Sequence, residues 1–443
     1  MKLGFKKVGK IGEAIIETKG LTVIAGENDT GKSTIGKAFF ALIKAINTTQ
    51  EYYIQDKQEK SLRMIWDIYS VLNAKLKKIT TPTTAALFNP NHFTKELISC
   101  LQFNLPADDI VAKRKELLPE LNLTDVELKR VEGLLTGIIN LFAKKLTKEN
   151  IINDAIRKAI QGEFRSQVNN SVTGETSELY LEYNEGNKNS FVFENNKLID
   201  INSYSDTEHS IKEATLIESP AFLQAVDTLK GLPIFSDMGI GATDIKFWNG
   251  SPITFHLKDF SIKIDSYKYR KGKESAYSSR IKDIIKGEFY FDPKKEEMFF
   301  RKNSSDSQST ASIRTINTAI GVRSFGILDI LLKVGAIGPS EMLIVDEPET
   351  HLHPVWQLEY ARLIVDLVCD GVPVIITSHS PYMIEALRHY SKKKGIFDSA
   401  TKFYLVKQAD DSGNFCNVVD LKNNLDPIFQ KLSDPLKKIL YED

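Results

Sequence analysis

The run Leu21–Thr34, LTVIAGENDTGKST, decides how the rest of the chain is read. Gly26, Gly31, Lys32 and Ser33 satisfy G-x-x-x-x-G-K-[ST]. The context agrees. LTVIA is a short β-type run, and STIGKAFFALIKAI places Ile35, Phe39, Leu42, Ile43 and Ile46 near helical spacing. A strand, a glycine-bearing loop and a helix in that order make a phosphate cradle: glycines let the backbone curl, and successive N–H groups with the helix N-terminus present positive potential. Asn28, Asp29, Thr30, Gly31, Lys32, Ser33 and Thr34 are therefore the candidate nucleotide contacts. Lys32 is expected to reach the β- and γ-phosphates, and Ser33 to bind Mg²⁺.

The matching acidic strand arrives late. EMLIVDEPETHLHP begins at Glu341, with four apolar residues, Met342 to Val345, before Asp346 and Glu347. A buried parallel strand ending in two acids delivers them to the carboxyl edge of a sheet, where ligands sit in open α/β folds. Asp346 is the candidate metal-shell acid and Glu347 the candidate general base for an attacking water. A second buried run, Val374 to Thr377, leads to His379 in a polar turn, with Pro381 opening a helix. A histidine there can contact a γ-phosphate and report its hydrolysis.

Taken in this order, the three blocks resemble the ABC-type ATPases, in the branch of the SMC and RecF heads and the overcoming-lysogenization-defect (OLD) ATPases. The resemblance covers the first ~50 residues and roughly the last 130, and DEPETHLHP with TSHSP carries most of it. It implies an α/β fold: an ABC-type P-loop ATPase head with an inserted helical lobe and an antiparallel β-lobe. In its terms Asp346 is the Walker B acid, Glu347 the catalytic glutamate and His379 the switch histidine, with His353 in the D-loop segment. It implies ATP and Mg²⁺ as cofactors.

The gap between the motifs fits that reading. About 300 residues separate Ser33 from Asp346, far beyond a simple loop. Residues 51–165 are expected to form an inserted helical lobe, 166–310 a β-rich and mixed segment, and 1–50 with 311–443 the two parts of the head. The lobe has no heptad sustained over four repeats, so a long coiled-coil arm is not expected. Thr124 to Glu127 reads as a capping box. SELYLEYNEGNKNSFVFENNKLIDI alternates apolar and polar residues between turns, as antiparallel hairpins do. EATLIESP adds a further strand. Near the end, KFYLV reads as a strand, DDSGN as a hairpin turn and PLKKILY as a helical tail.

Two further assignments come from the resemblance. Gln167, in GEFRSQVNN, is the candidate Q-loop glutamine that watches Mg²⁺; an exposed helix-end glutamine is the other reading. No L-S-G-G-Q signature occurs. At the corresponding distance stands INTAIGVRSFGILDILL, so Asn317, Gly321, Ser324 and Gly326 form the candidate signature region. Ser324 is expected at a helix N-terminus, where an ordinary N-cap serine is the alternative. Gly326 is expected to allow close approach.

Within the branch, SFGILDILL, the acidic strand and TSHSPYMIEALRHYSKKK look most like the Septu PtuA ATPases of anti-phage modules, retron-associated forms included. The AriA ATPases of PARIS come second. The resemblance implies head-to-head homo-oligomers, an HNH nuclease partner of the PtuB type, and in retron systems a reverse transcriptase with its msDNA. Some 60 residues follow His379, short of the usual ~100-residue domain scale, so no appended effector domain is expected.

Composition constrains without deciding. Lys+Arg and Asp+Glu both number 58, so global charge gives no support to nucleic-acid binding. SYKYRKGKES interleaves tyrosine with base, as a DNA contact or as an exposed, solubilising hairpin. No apolar run approaches the roughly 18 residues of a membrane span. Cys100, Cys369 and Cys416 lie far apart without metal spacing, and no secretory h-region is seen, so a reducing cytoplasm is expected. The alternative to a defence ATPase is a RecF- or SMC-like repair machine that binds DNA. A transporter subunit is disfavoured by the missing L-S-G-G-Q.

Overall fold

The computed structural model describes residues 1–47, 49–77, 82–103, 105–143, 147–182, 188–202, 210–224, 226, 253–268, 274–303, 312–409, 412–422 and 424–432. The chain forms two compact units, one of residues 1–47 with 156–443 and one of residues 48–155.

Among the described residues, the larger unit is organised by one sheet of eleven strands. Its parallel half is built from β3 (Leu21–Gly26), β7 (Glu213–Ile217), β11 (Glu341–Asp346), β12 (Val374–Ser378) and β13 (Thr401–Gln408), in spatial order β13-β3-β12-β11-β7. Each neighbouring pair in that run is parallel. Every residue of β3 and β12 is buried, as strands covered on both faces require. β7, expected only as a further strand, is the edge of this parallel half, paired to β11 with Ile217 opposite Val345.

The two faces follow from the period of two. Leu21, Val23 and Ala25 of β3 pack in one core with helices α10 (Ile320–Val334), α11 (Pro354–Cys369) and α12 (Pro381–Lys393). The opposite face takes helix α1 (Lys32–Asn47). Gly36 sits where a Cβ would come 3.0 Å from Ile344 Cγ2, so the glycine sets how closely α1 approaches the sheet.

The antiparallel half runs β6-β5-β4-β1-β2, from β1 (Lys2–Val8), β2 (Ile11–Glu17), β4 (Ser177–Glu182), β5 (Lys188–Glu194) and β6 (Lys197–Asn202). Strand β14 (Cys416–Asp420) joins the halves, antiparallel to β13 and parallel to β2. Helices α8 (Phe255–Ser266) and α9 (Ala276–Ile285), and a three-stranded sheet of β8 (Gly287–Asp292), β9 (Glu297–Lys302) and β10 (Ser312–Arg314), also belong to this unit.

The smaller unit is helical: α2 (Thr49–Leu76), α3 (Pro82–Leu87), α4 (Pro90–Phe103), α5 (Asp108–Leu117) and α6 (Asp125–Ala143). Its core joins Ile65, Ile68 and Leu72 of α2 to Val131, Leu135 and Ile138 of α6, both sets at one-face spacing. The capping box is present: Thr124 N donates to Glu127 Oε2 at 2.8 Å and Glu127 N to Thr124 Oγ1 at 3.3 Å. Helix α7 (Lys148–Phe164) leads back to the sheet. Among the described residues no helix is long and apolar enough to cross a membrane.

Several sequence readings fall partly outside the described residues: the turn at 184–187, residues 410 and 411 of DDSGN, all of PLKKILY, and Tyr269, Arg270, Lys271 and Lys273. Of that last stretch, Lys268 pairs with Asp265 at 3.0 Å and lies over the Phe291 ring, while Tyr267 packs against the core.

Candidate active site

The phosphate loop leaves β3 at the carboxyl edge of the sheet. Its backbone is left-handed at Asp29 (φ 61°) and at Gly31 (φ 90°), a sequence of conformations that turns N–H groups inward. Asp29 is held by Lys10 in an ion pair, and Thr30 Oγ1 donates to Glu27 O at 2.8 Å. Asn28 is exposed at the tip. Lys32 is buried, and its Nζ donates to Glu27 O at 2.6 Å.

Strand β11 brings the two acids to the same edge. Asp346 accepts from Thr377 Oγ1 and is hydrogen-bonded by Ser33. Burial pushes its carboxyl up, against those two bonds. Glu347 has φ 46°, a left-handed conformation that costs a non-glycine residue of order 1–3 kcal/mol. Its backbone N donates to Thr377 O and Thr377 Oγ1, each at 3.1 Å, which fixes the strained residue. Glu347 Oε1 then lies 3.3 Å from Lys32 Nζ and 3.3 Å from His379 Nδ1.

His379 has a second acid behind it. Glu349 is buried, and its Oε1 accepts from Ser378 Oγ at 2.9 Å, His379 N at 2.7 Å and Ser380 N at 3.2 Å. The same oxygen is 3.3 Å from His379 Nδ1. Burial pushes the Glu349 carboxyl up, against these bonds. Sequence reasoning passed over Glu349. The signal was there: a third acid in DEPE, one turn before two histidines, with a serine-rich partner loop. The next helix is capped by His353, whose Nδ1 accepts from Val355 N at 3.4 Å.

The phosphate loop and Glu347 border a cleft of about 550 Å³ lined by Asp29–Thr34, Glu347, the Gly9–Lys10 turn, Gln167, Asn169–Val172 and Gly413–Asn414. Gln167 thus stands in the cleft wall, two residues before Asn169, which bridges to Val8. Asn170 ties the wall together. Its Nδ2 donates to Gly9 O at 2.8 Å and Asn414 O at 2.9 Å, while its Oδ1 accepts from Val172 N and Thr173 N.

The signature region needs correction. Helix α10 starts at Ile320 with Ala319 as N-cap. Ser324 is therefore in the second turn and not at the N-terminus; it is buried, and its Oγ donates back to Ile320 O at 3.2 Å. Gly326 is buried too, and a Cβ there would meet Phe289 Cε2 at 2.2 Å, so the close approach it allows is to a core aromatic. Asn317 is exposed, just before the helix. A Cβ at Gly321 would meet the Trp356 ring at 3.2 Å.

A family model described as "AAA domain, putative AbiEii toxin, Type IV TA system" matches residues 319–385, from the start of α10 into α12. No curated protein matches the chain. Similar solved structures include the SMC head domain from Thermotoga maritima, with TM-score 0.36 and 10% identity over 95% of this chain and 97% of that one. An Smc head bound to the C-winged helix domain of ScpA has TM-score 0.36 and 12% identity over 97% and 98%. An Smc head with an extended coiled coil, bound to the C-terminal domain of ScpA from Pyrococcus furiosus, has TM-score 0.34 and 11% identity over 99% and 98%. The strand order and the loop geometry show an open α/β sheet with a phosphate-type loop at the carboxyl edge of its parallel strands.

Proposed function

We propose that this chain is an ATP-binding and hydrolysing subunit of an anti-phage defence complex, acting through a separate nuclease. The observation that carries the enzymatic part is the meeting of Lys32, Ser33, Asp346, Glu347 and His379 at one sheet edge, from segments about 300 residues apart.

The donor set suits Mg²⁺. One half-buried carboxylate, Asp346, with the Ser33 hydroxyl makes a small hard-oxygen site of the kind completed by nucleotide phosphates. When bound, Mg²⁺ neutralises phosphate charge. The chain's own residues do the rest. Lys32 holds the β/γ-phosphate charge, and Glu347 takes the proton of the attacking water. His379, steadied by Glu349, donates toward the γ-phosphate side. Gln167 watches the metal from the cleft wall, and Asn28 to Thr34 wrap the phosphates.

In this reading two copies face each other and share ATP, with Asn317, Gly321, Ser324 and Gly326 shaping the signature region that the partner copy presents. The effector is an HNH nuclease of the PtuB type; in a retron setting a reverse transcriptase and its msDNA join. The toxin-system wording of the family model at residues 319–385 supports a defence role over a repair one.

The test is expression of the tagged chain with its flanking genes, followed by mass spectrometry and native mass. A co-eluting nuclease with ATP-dependent control supports the proposal. A chain that elutes alone and whose ATP turnover rises with DNA, with salt-sensitive binding, is instead a RecF- or SMC-like machine.

A further inference from the structure

Helix α8 carries an acid–imidazole–acid chain that the site description above leaves unused. His256 and Glu163 are fully buried side chains. His256 Nδ1 is 2.7 Å from Glu163 Oε1, and His256 N donates to Glu163 Oε2 at 3.0 Å. On the other side, His256 Nε2 is 3.0 Å from Glu218 Oε2. Glu218 Oε1 accepts from Lys37 Nζ at 2.8 Å. Both oxygens of Glu218 are thus held by cationic groups, and the imidazole is held from both ends.

Two independent relationships place Glu218 at the nucleotide edge. Ile217 and Val345 are register partners on adjacent parallel strands. The next residues in the chain are Glu218, just past the end of β7, and Asp346, the last of β11, so both acids come at the same edge of adjacent strands. Lys37, the partner of Glu218, lies four residues after Ser33 on α1, hence on the same helix face one turn on. Glu218 is one strand from the candidate metal acid, and its partner Lys37 is one turn from the candidate metal hydroxyl.

Anchoring α8 does not need this chain. The next turns of the helix are fixed separately: Asp259 pairs with Lys44 at 2.8 Å and Lys263 at 2.7 Å, and Glu213 pairs with Lys44 at 2.7 Å. A buried ion pair adds little net stability over apolar packing of the same volume. What it adds is a carboxylate fixed in one orientation.

We propose that Glu218 is a positioning residue of the metal–nucleotide edge, and that His256, clamped by Glu163, fixes it there. Glu218 would help order the water shell of a phosphate-bound divalent cation from the β7 side. This rests on the nucleotide reading above.

The experiment uses the full chain and Mn²⁺ with ADP as the probe, with free Mn²⁺ read by electron paramagnetic resonance, alongside steady-state ATP turnover. Glu218→Gln keeps metal-free ADP binding but weakens Mn²⁺ binding to the ADP complex about tenfold, the usual scale for loss of a partner behind a metal's ligands. It lowers kcat with KM within about twofold. His256→Gln moves both readouts in the same direction. Folded Glu218→Gln with wild-type Mn²⁺ affinity and kcat overturns the proposal. Should a variant at His256 not fold, Lys37→Met, which leaves Glu218 paired with His256, supplies the second arm and is read the same way. Wild-type protein that binds neither ADP nor Mn²⁺–ADP overturns the nucleotide reading itself, an outcome distinct from variants that leave a working metal site unchanged.

Discussion

Lys32 Nζ and Glu347 Oε1 stand 3.3 Å apart, the phosphate-loop ammonium against the carboxylate that ends β11. The pair closes the site across the sheet. It also sets a competition, because a nucleotide phosphate arriving at Lys32 meets a carboxylate already there.

Lys32→Ala removes the buried cation that faces the phosphates. Nucleotide affinity falls by about 1.5–3 kcal/mol, the range for a hydrogen bond to a charged group, or roughly ten- to a hundredfold. Isothermal titration with ATP reads it directly. Unchanged affinity removes Lys32 from the site.

Glu347→Gln keeps the shape and drops the charge beside Lys32. ATP then binds as tightly as in the wild type or tighter, while hydrolysis slows about 10²–10⁴-fold, the contribution of a general base. Turnover equal to wild type rules out Glu347 as the base.

Glu349→Ala leaves Ser378 Oγ, His379 N and Ser380 N without their common acceptor. Ser380 N keeps Ser378 Oγ as acceptor, but a donor left stranded costs about 1–3 kcal/mol, so the melting temperature drops. Glu349→Gln restores an acceptor and most of the stability. If Glu349 steadies His379, kcat stays low in Glu349→Gln with KM near normal; full recovery of kcat makes the role structural only.

Gly326→Ala drives a methyl into the Phe289 ring, at 2.2 Å from Cε2 before relaxation. Overpacking of this kind costs about 1–3 kcal/mol, offset by up to about 1 kcal/mol of helix propensity. Urea denaturation should show a net loss. A stabilised variant would mean that the ring yields freely.

The His256 chain predicts how stability depends on pH. Burial disfavours the imidazolium, but Glu163 and Glu218 outweigh it and raise the His256 pKa to about 9. A raised folded-state pKa stabilises fully below the unfolded value near 6.5, and the effect is lost as pH climbs toward 9. The amount is roughly 3 kcal/mol. Glu218 works at the other end: burial opposes its charge, but His256 and Lys37 lower its pKa to about 2. Its contribution is present above the usual 4.5 and is lost as pH falls toward 2. Unfolding free energy measured from pH 6 to 9 should therefore decline in the wild type and flatten in His256→Gln. A parallel slope in both assigns the decline to other groups.

Much of this molecule is legible in its sequence. G-x-x-x-x-G-K-[ST] between a five-residue apolar run and an amphipathic helix leaves little choice of local structure, because the glycine at φ 90° and the helix spacing are set by neighbours in the chain. The same holds for the apolar runs of β11 and β12 and for the Thr124 capping box, all local patterns. Ser324 shows the limit. Its serine-glycine context suits a helix start, but the helix begins at Ile320, since Ala319 already takes the N-cap and the apolar face from Phe325 onward is continuous with the turn before it. What tertiary structure decided are the pairings that no local pattern specifies: Glu218 beside Asp346, His256 between Glu163 and Glu218, and Glu349 behind His379. Each joins residues thirty to more than ninety positions apart, or two strands whose adjacency is fixed only by hydrogen-bond register across the sheet. The sequence by itself determined which chemical groups are present and the strand, loop or helix that bears each one. The folded sheet alone decided which of them meet, because a shared carboxyl edge exists only once β3, β12, β11 and β7 lie side by side.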